Sequence, residues 1–471
     1  MKTKLLYYAA LIAVLLPFRA SCQYKEELKE IVYHLSSPEL RGRGTGDIGQ
    51  KLAAGYIANY FKNNGVQNIY NNYDSIDYMQ HFSLIRFRQK TKVYTIIDKD
   101  TLKINKACAF KTANHTREFY FNTATVVYAE SDYVLRKFAD TLSSEGSPIL
   151  ILLSNDLYNN YQSAISDEYY VSKDTTLDAM FTNVFQPFTQ TLDLLTERFS
   201  NADSREILLL SYKEIVERNI AVDAELRKDR KSQKDKKVLD FVNSLRFSVS
   251  GYIEKEVKET ENVISIVEGK SADSPWLIIG AHYDHLGVKG KITNYGADDN
   301  ASGTSALMVL AKNIANLDEK LDYNLIFVAF SAEELGLLGS NYFVDSDDMP
   351  KNVKGMINMD MIGRPDPDIF KGKYVYMQSV GSGAKFMKKP MKSQKVEGLR
   401  VVNRMPLPIR FLYFFSSDHY NFYRKDIPAV VLYTGLHDDY HTSKDTPDKI
   451  DYDNMENIVI WLTKSINAIN N

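Results

Sequence analysis

The sequence predicts an α/β fold: a central sheet of largely buried strands flanked by helices, interrupted by a smaller inserted α+β domain. Three observations carry this expectation. After Asn262, short apolar runs alternate with helical patterns, which is how buried strands and their crossover helices read. Between about residues 90 and 258 the texture changes to short β-like runs among polar and charged segments. The chain has 471 residues, long for a single domain of about 100 to 200, so a second unit is expected.

The elements follow in order. Lys2 and Lys4 precede an apolar run, Leu5 to Phe18, and the small residues Ala20, Ser21 and Cys22 come before charged Lys25-Glu26-Glu27, the pattern of a secretory signal peptide over residues 1–22. The run is short of the roughly 20 residues that span a bilayer, so an exported chain, periplasmic or extracellular and without a transmembrane segment, is expected. A lipid anchor at Cys22 is the alternative, although Arg19 departs from the lipoprotein pattern. QKLAAGYIANYFKNNG, residues 50–65, places Leu52, Ala53, Tyr56, Ile57 and Tyr60 at helical spacing and stops at Gly65, so it predicts an amphipathic helix against the sheet. Residues 23–89 and 259–471 then form the larger domain and 90–258 the insertion. Within the insertion, Val93 to Ile97, Ala124 to Tyr128, Pro148 to Leu153 and Glu206 to Leu210 read as strands, and the basic run 225–237, broken by Asp229 and Asp235, reads as a solvated face. Strands are expected at Val263 to Val267, Trp276 to Ile279, Leu325 to Phe330, Met356 to Met361 and Ala429 to Tyr433. A helix carrying Leu307, Leu310, Ala311 and Ile314 is expected after Ser302.

Composition narrows the function classes. With 44% hydrophobic and 25% charged residues the chain is a folded protein. Fifty-eight Lys plus Arg against sixty Asp plus Glu leave a net charge of -2, which argues against nucleic acid as a partner bound through bulk positive charge. The two cysteines, Cys22 and Cys108, lie in no CxxC pattern, so any metal is held by His and carboxylates, and Cys108 reads as a lone buried thiol.

Metal-capable residues gather behind the expected strands. His282 and Asp284 end WLIIGAHYDHLG, Glu333 and Glu334 follow LIFVAF, Asp360 ends MINMD, Asp298 and Asp299 precede a helix in GADDNASG, and His441 follows the last strand. In open α/β sheets, sites form beyond the carboxyl ends of the strands, so these separate segments converge on one rim. Singly, an HxD is most often a surface feature, and a DD or EE pair is usually a helix cap. Their conjunction is what points to a site. Imidazole with carboxylate and no thiolate suits a catalytic zinc or similar divalent ion, and a pair of ions about 3.5 to 4 Å apart needs one bridging carboxylate. Asp284, two residues from His282, can orient its imidazole. Adjacent Glu333 and Glu334 point in different directions, so one can hold metal while the other acts as base. His285, His419 and His437 read as structural or supporting. HExxH, GxSxG and GxxxxGK[ST] motifs do not occur.

AHYDHLG, GADDNASG, AFSAEELGLLGS, NMDMIGR, SDHYNFY and YHTSKDTPDKID, in this order, resemble the sequence blocks of the metallopeptidase family 28 aminopeptidases. The resemblance covers about residues 262 to 470, and SSPELRGRGTG with the following helix is similar to that family's N-terminal segment. It implies the zinc-dependent exopeptidase fold, whose central sheet is mixed and mainly parallel. It implies two zinc ions per chain, His282 and Asp360 on one, Glu334 and His441 on the other and Asp298 between them. Asp284 is then the orienting residue and Glu333 the general base. A cis peptide is expected at Asp298-Asp299, and the insertion occupies the place of a protease-associated domain. The implied activity is removal of N-terminal residues from peptide substrates by metal-activated water. Glutaminyl cyclases on the same fold, and a catalytically inactive binding protein on this scaffold, are the rival readings. Phe411, Tyr413, Phe414 and Phe415 are expected to form an apolar wall that favours hydrophobic N-terminal residues.

Overall fold

The computed structural model describes residues 23–69, 78–97, 100–104, 107–110, 119–121, 125–129, 149–153, 168–172, 207–211, 246–379, 385–403 and 416–469, with side chains outside 87–255. The signal-peptide and Cys22 expectations, the basic run 225–237, the Cys108 thiol and the wall at 411–415 lie outside the described residues. The chain divides into two compact units, residues 1–82 with 259–471, and residues 83–258.

The main sheet strands of the larger unit are β1 (Arg246–Val267), of which residues 259–267 belong to this unit and 263–267 pair with β3, β2 (Trp276–His282), β3 (Asn324–Phe330), β4 (Val353–Met359), β5 (Tyr374–Ser379), β6 (Arg400–Val402) and β7 (Ala429–Tyr433). Their order across the sheet is β6-β5-β7-β4-β2-β3-β1. The four central strands β7, β4, β2 and β3 are parallel, while β1 joins β3 and β5 joins β7 in antiparallel fashion. The sheet is therefore mixed and mainly parallel, as expected.

Both faces are covered, and the period-two pattern of the strands says how. Leu277, Ile279 and Ala281 of β2 and Leu325, Phe327 and Ala329 of β3 pack in one core with helices α1 (Gln23–Leu35), α2 (Ile48–Asn63), α3 (Gly303–Ala315) and α7 (Tyr452–Ala468). The alternate residues Ile278, Ile326, Val328 and Phe330 pack with Phe343 of α4 (Leu338–Asp345) and Phe422 of α6 (His419–Arg424). Each fully buried Leu, Ile or Phe contributes roughly 1.5–3 kcal/mol, so the strand register is firmly set, and with it the rim where the strands end. A short helix, α5, spans Lys388–Ser393.

Two differences from the expectation have simple causes. Helix α2 runs two residues earlier than its apolar spacing implied, and its inward face is shifted slightly: Ala53, Ala54, Ile57 and Phe61 are buried and Tyr56 and Tyr60 pack against the core, whereas Leu52 is 49% exposed. Leu52 lies at the edge of the apolar stripe, where Ala54 and Phe61 close the buried face instead. Strands β5 and β6 were not foreseen. β5 is YVYMQS, polar at its end, and the edge strand β6 is only RVV, so neither stands out as an apolar run.

In the smaller unit, strands 107–110, 207–211, 149–153 and 125–129 form a sheet in that order, the last three parallel. Residues 84–88 pair with 168–172, 93–97 with 100–104, and 119–121 with 249–251, all antiparallel.

Candidate metal centre

The carboxyl ends of β2, β3 and β4 deliver His282, the Glu333-Glu334 pair and Asp360 to one rim, and the segment after β7 brings His441 to it. Several of these turns are held by non-glycine residues in the left-handed region, where a side chain is strained. They are Ala332 (φ 58°), Met361 (φ 56°) and His441 itself (φ 56°). The first precedes Glu333 and the second follows Asp360.

Asp299 sits at the middle. Its Oδ1 lies 3.4 Å from His282 Nε2, and its Oδ2 lies 3.1 Å from His441 Nε2. On the first side His282 Nε2 is also 3.3 Å from Asp360 Oδ1, and on the second His441 Nε2 is 3.3 Å from Glu334 Oε2. Two ligand atoms each about 2.0–2.2 Å from one ion, at a tetrahedral angle, stand about 3.3 Å apart. The four separations match that spacing, so the donor set fits one small divalent ion on each side of Asp299. Glu333 Oε2, at 3.9 Å from His282 Nε2, stands outside it. His285 Nδ1 donates to Glu334 Oε1 at 2.7 Å, a hydrogen bond that aims the carboxylate.

The position between the two donor groups, expected of Asp298, is therefore taken by its neighbour Asp299. The Asp298 carboxylate is fully buried, accepts from the Gly363 amide at 2.7 Å and faces His437 Nε2 at 3.3 Å. It lies beside the His437 loop and makes no contact with His282, Asp360, Glu334 or His441 at ligand spacing. The cis peptide likewise falls at Asp299-Asn300 rather than at Asp298-Asp299. From sequence alone the two aspartates were equivalent candidates. What separates them is the turn. Gly296 adopts φ 59°, and a Cβ there would collide with the Asp299 carbonyl and the His285 ring, so only glycine allows this close path. Asn300 then ties the turn to β4, donating to Met359 O at 2.9 Å and accepting from Met361 N at 3.2 Å, on either side of Asp360.

Asp284 is fully buried and accepts from Thr45 Oγ1 (2.7 Å) and from the Glu333 amide (3.1 Å). His282 Nδ1 donates instead to the Asp284 main-chain carbonyl at 3.2 Å, its carboxylate being 3.8 Å away. Asp284 thus orients the strand end and Glu333 more directly than the imidazole. The Nδ1 hydrogen bond still selects the tautomer that leaves Nε2 free to coordinate.

The electrostatics are those of donors gathered for cations. Burial works against charge on His282, yet Glu333, Asp360 and Asp299 outweigh it and raise its pKa well above the ordinary value. For His441 burial is again outweighed, here by Asp299 and Glu334, and its pKa rises to about 10. Burial pushes Glu333 well up and Asp284 to about 6. Burial opposes ionisation of Glu334, but His285 and His441 hold its carboxyl well below the usual range.

A cleft of about 250 Å³ opens on His282, Asp299, Glu333 and Asp360. Met361, Val431, Tyr433, Leu436 and Tyr440 form much of its remaining wall, and the Tyr440 ring stacks on His441 at 3.7 Å. These wall residues were missed in sequence, being scattered over three segments with no periodicity to group them.

With this geometry in view, residues 262–464 match the model of Peptidase family M28. This segment is an M28 peptidase domain. Leucine aminopeptidase 2 of Trichophyton equinum is 33% identical over 186 residues, 38% of this chain and 34% of that protein. The chain thus matches about a third of the length of this curated relative. Two solved structures share the fold. One is an aminopeptidase from Aneurinibacillus sp. strain AM-1, with TM-score 0.53 and 18% identity over 94% of this chain and 93% of that one. The other is BSAP, a zinc aminopeptidase from Bacillus subtilis, with TM-score 0.51 and 17% identity over 94% of each chain. The M28 segment contains β2 to β7 and, but for Thr45, every side chain of the centre described above. Among the described residues, no helix is long and apolar enough to cross a membrane.

Proposed function

We propose that the chain is an exported aminopeptidase that holds two zinc ions, one by His282 and Asp360, the other by Glu334 and His441, with Asp299 shared between them. The near-equal ligand spacing on both sides of one carboxylate carries this reading. The M28 match and the aminopeptidase relatives support the reaction class, and the lysine-led apolar run before Cys22 supports export.

When bound, such a pair of ions polarises a peptide carbonyl and makes water nucleophilic near neutral pH. The chain's own residues do the rest. Glu333 lines the cleft outside the ligand spacing, so its carboxylate is free to take the proton from attacking water and return it to the leaving amine. The Asp284 carboxylate, by accepting the Glu333 amide, fixes where that carboxylate stands. Met361, Val431 and Leu436 exclude water beside the donors and suit an apolar side chain of moderate size.

A panel of aminoacyl fluorogenic substrates tests this directly. Leucyl and methionyl substrates should be cleaved faster than aspartyl or lysyl ones, and N-acetyl-leucyl substrate should not be cleaved. Equal cleavage of blocked and free substrates, or ammonia release from a glutamine-initiated peptide as the main reaction, would contradict it.

A further inference from the structure

Outside the donors themselves, two buried charged side chains converge on the turn that carries Asp299. Arg43 is fully buried in the larger unit and spends its donors on main-chain carbonyls: Nε on Tyr283 O (2.7 Å), Nη1 on Tyr295 O (2.9 Å) and Leu35 O, and Nη2 on Gly296 O (2.8 Å). No carboxylate pairs with it at hydrogen-bond range among these contacts. Burial pulls its pKa to about 10, and Asp299, Asp445, Asp284 and Glu334 all lie near enough to offset part of that cost. Asp445, also fully buried, does the converse. Its Oδ2 accepts the amides of Asp298 (3.0 Å) and Asp299 (3.1 Å), and its main-chain carbonyl accepts the amide of Ala297 at 3.3 Å. Its own amide donates to Thr442 O at 3.3 Å, next to His441.

The carbonyls of 295 and 296 thus point to a cation and the amides of 297, 298 and 299 to one aspartate. A guanidinium presents its donors in a fixed planar fork, and a carboxylate accepts several amides at once, so each suits one polarity of the backbone. We propose that Arg43 and Asp445 are positioning residues that grip the 295–299 turn from its two polar sides and set the Asp299 carboxylate between its two donor groups. Asp445 further couples that setting to the His441 loop. The inference rests on the two-ion reading above. Asp445 governs mainly the His441 and Glu334 side, because it binds both Asp299 and the residue after His441. Arg43 governs both sides, because it also holds the carbonyl next to His282.

The test is titration of cobalt(II) into the chelator-treated full chain, followed by visible d–d absorption, with thermal unfolding of the ion-free chain measured in parallel. The parent should take up two equivalents. Asp445→Ala should bind one ion with parental affinity and spectrum and the other about tenfold or more weakly with an altered spectrum, as is typical when a supporting hydrogen bond is lost. Asp445→Asn keeps one acceptor oxygen for the two amides and should restore part of the loss. It also decides the matter if the alanine variant does not fold. Arg43→Lys should weaken both ions. A folded Asp445→Asn or Asp445→Ala chain that binds both ions with parental affinity and spectrum, whatever its melting temperature, overturns this inference alone. A parent that takes up fewer than two ions overturns the two-ion reading and this inference with it.

Discussion

The two sides of Asp299 are built differently. On one, His282 ends a central strand and is 1% exposed, and Asp360 follows the neighbouring strand, so their positions are set by a sheet buried on both faces. On the other, Glu334 stands in a turn and His441 in a loop, with 37% of the His441 side chain exposed and its backbone in the left-handed region. Equal spacing is reached by different means. Strand ends place their donors chiefly through the sheet, with Asn300 and Arg43 holding the adjoining backbone, whereas loop donors lean on partners such as His285, Tyr440 and Asp445. The two ions should therefore differ in affinity, the strand-end side binding tighter.

The largest effect should come from the shared carboxylate. Asp299→Ala should abolish stoichiometric binding of both ions, while Asp298→Asn, which alters only the Gly363 and His437 contacts, should retain two. Elemental analysis of the two purified variants gives the answer, and the reverse pattern would restore Asp298 as the bridge. Next, Glu333→Gln should lower kcat by about 10²- to 10⁴-fold, the usual worth of a positioned base, with two ions retained. A kcat near that of the parent would remove Glu333 from that role. His441→Ala should then leave one ion bound, whereas His282→Ala should weaken the tighter site. Calorimetric titration separates the two, and identical single-ion losses would erase the asymmetry.

A smaller effect is expected from pH. Ion-free His441 titrates at about 10 instead of 6.5, so its contribution to stability is full below the ordinary histidine value and lost as pH rises through the folded one. His282, also raised, acts with the same sign. The ion-free chain should lose melting temperature over that window, while the loaded chain, its imidazoles held by metal, should stay flat. An ion-free chain that gains stability from about pH 7 to 9 would contradict the assigned electrostatics.

The central strands and the rim were legible in sequence because β2, β3, β4 and β7 are continuous apolar runs, and chemistry-bearing residues follow them. Four of the five donors at ligand spacing, His282, Glu334, Asp360 and His441, stood out for that reason. Asp299 could not be told from Asp298, since adjacent aspartates in GADDNASG differ only through the path of the turn, which Gly296 permits within the motif and which Arg43 and Asp445, far away in sequence, contact in the fold. The cleft wall was illegible for a similar reason. Met361, Val431 and Leu436 each look like ordinary core residues until tertiary structure leaves them facing a void. Leu52 erred the other way, apolar at helical spacing and yet turned to solvent.

The central claim is that one carboxylate, Asp299, joins two ions. Anomalous scattering at the zinc edge from crystals of the loaded chain tests it most directly. Two peaks should appear on opposite sides of Asp299, one between His282 and Asp360 and one between His441 and Glu334, the first at higher occupancy when zinc is limiting. A single peak, or density centred on Asp298, would contradict it.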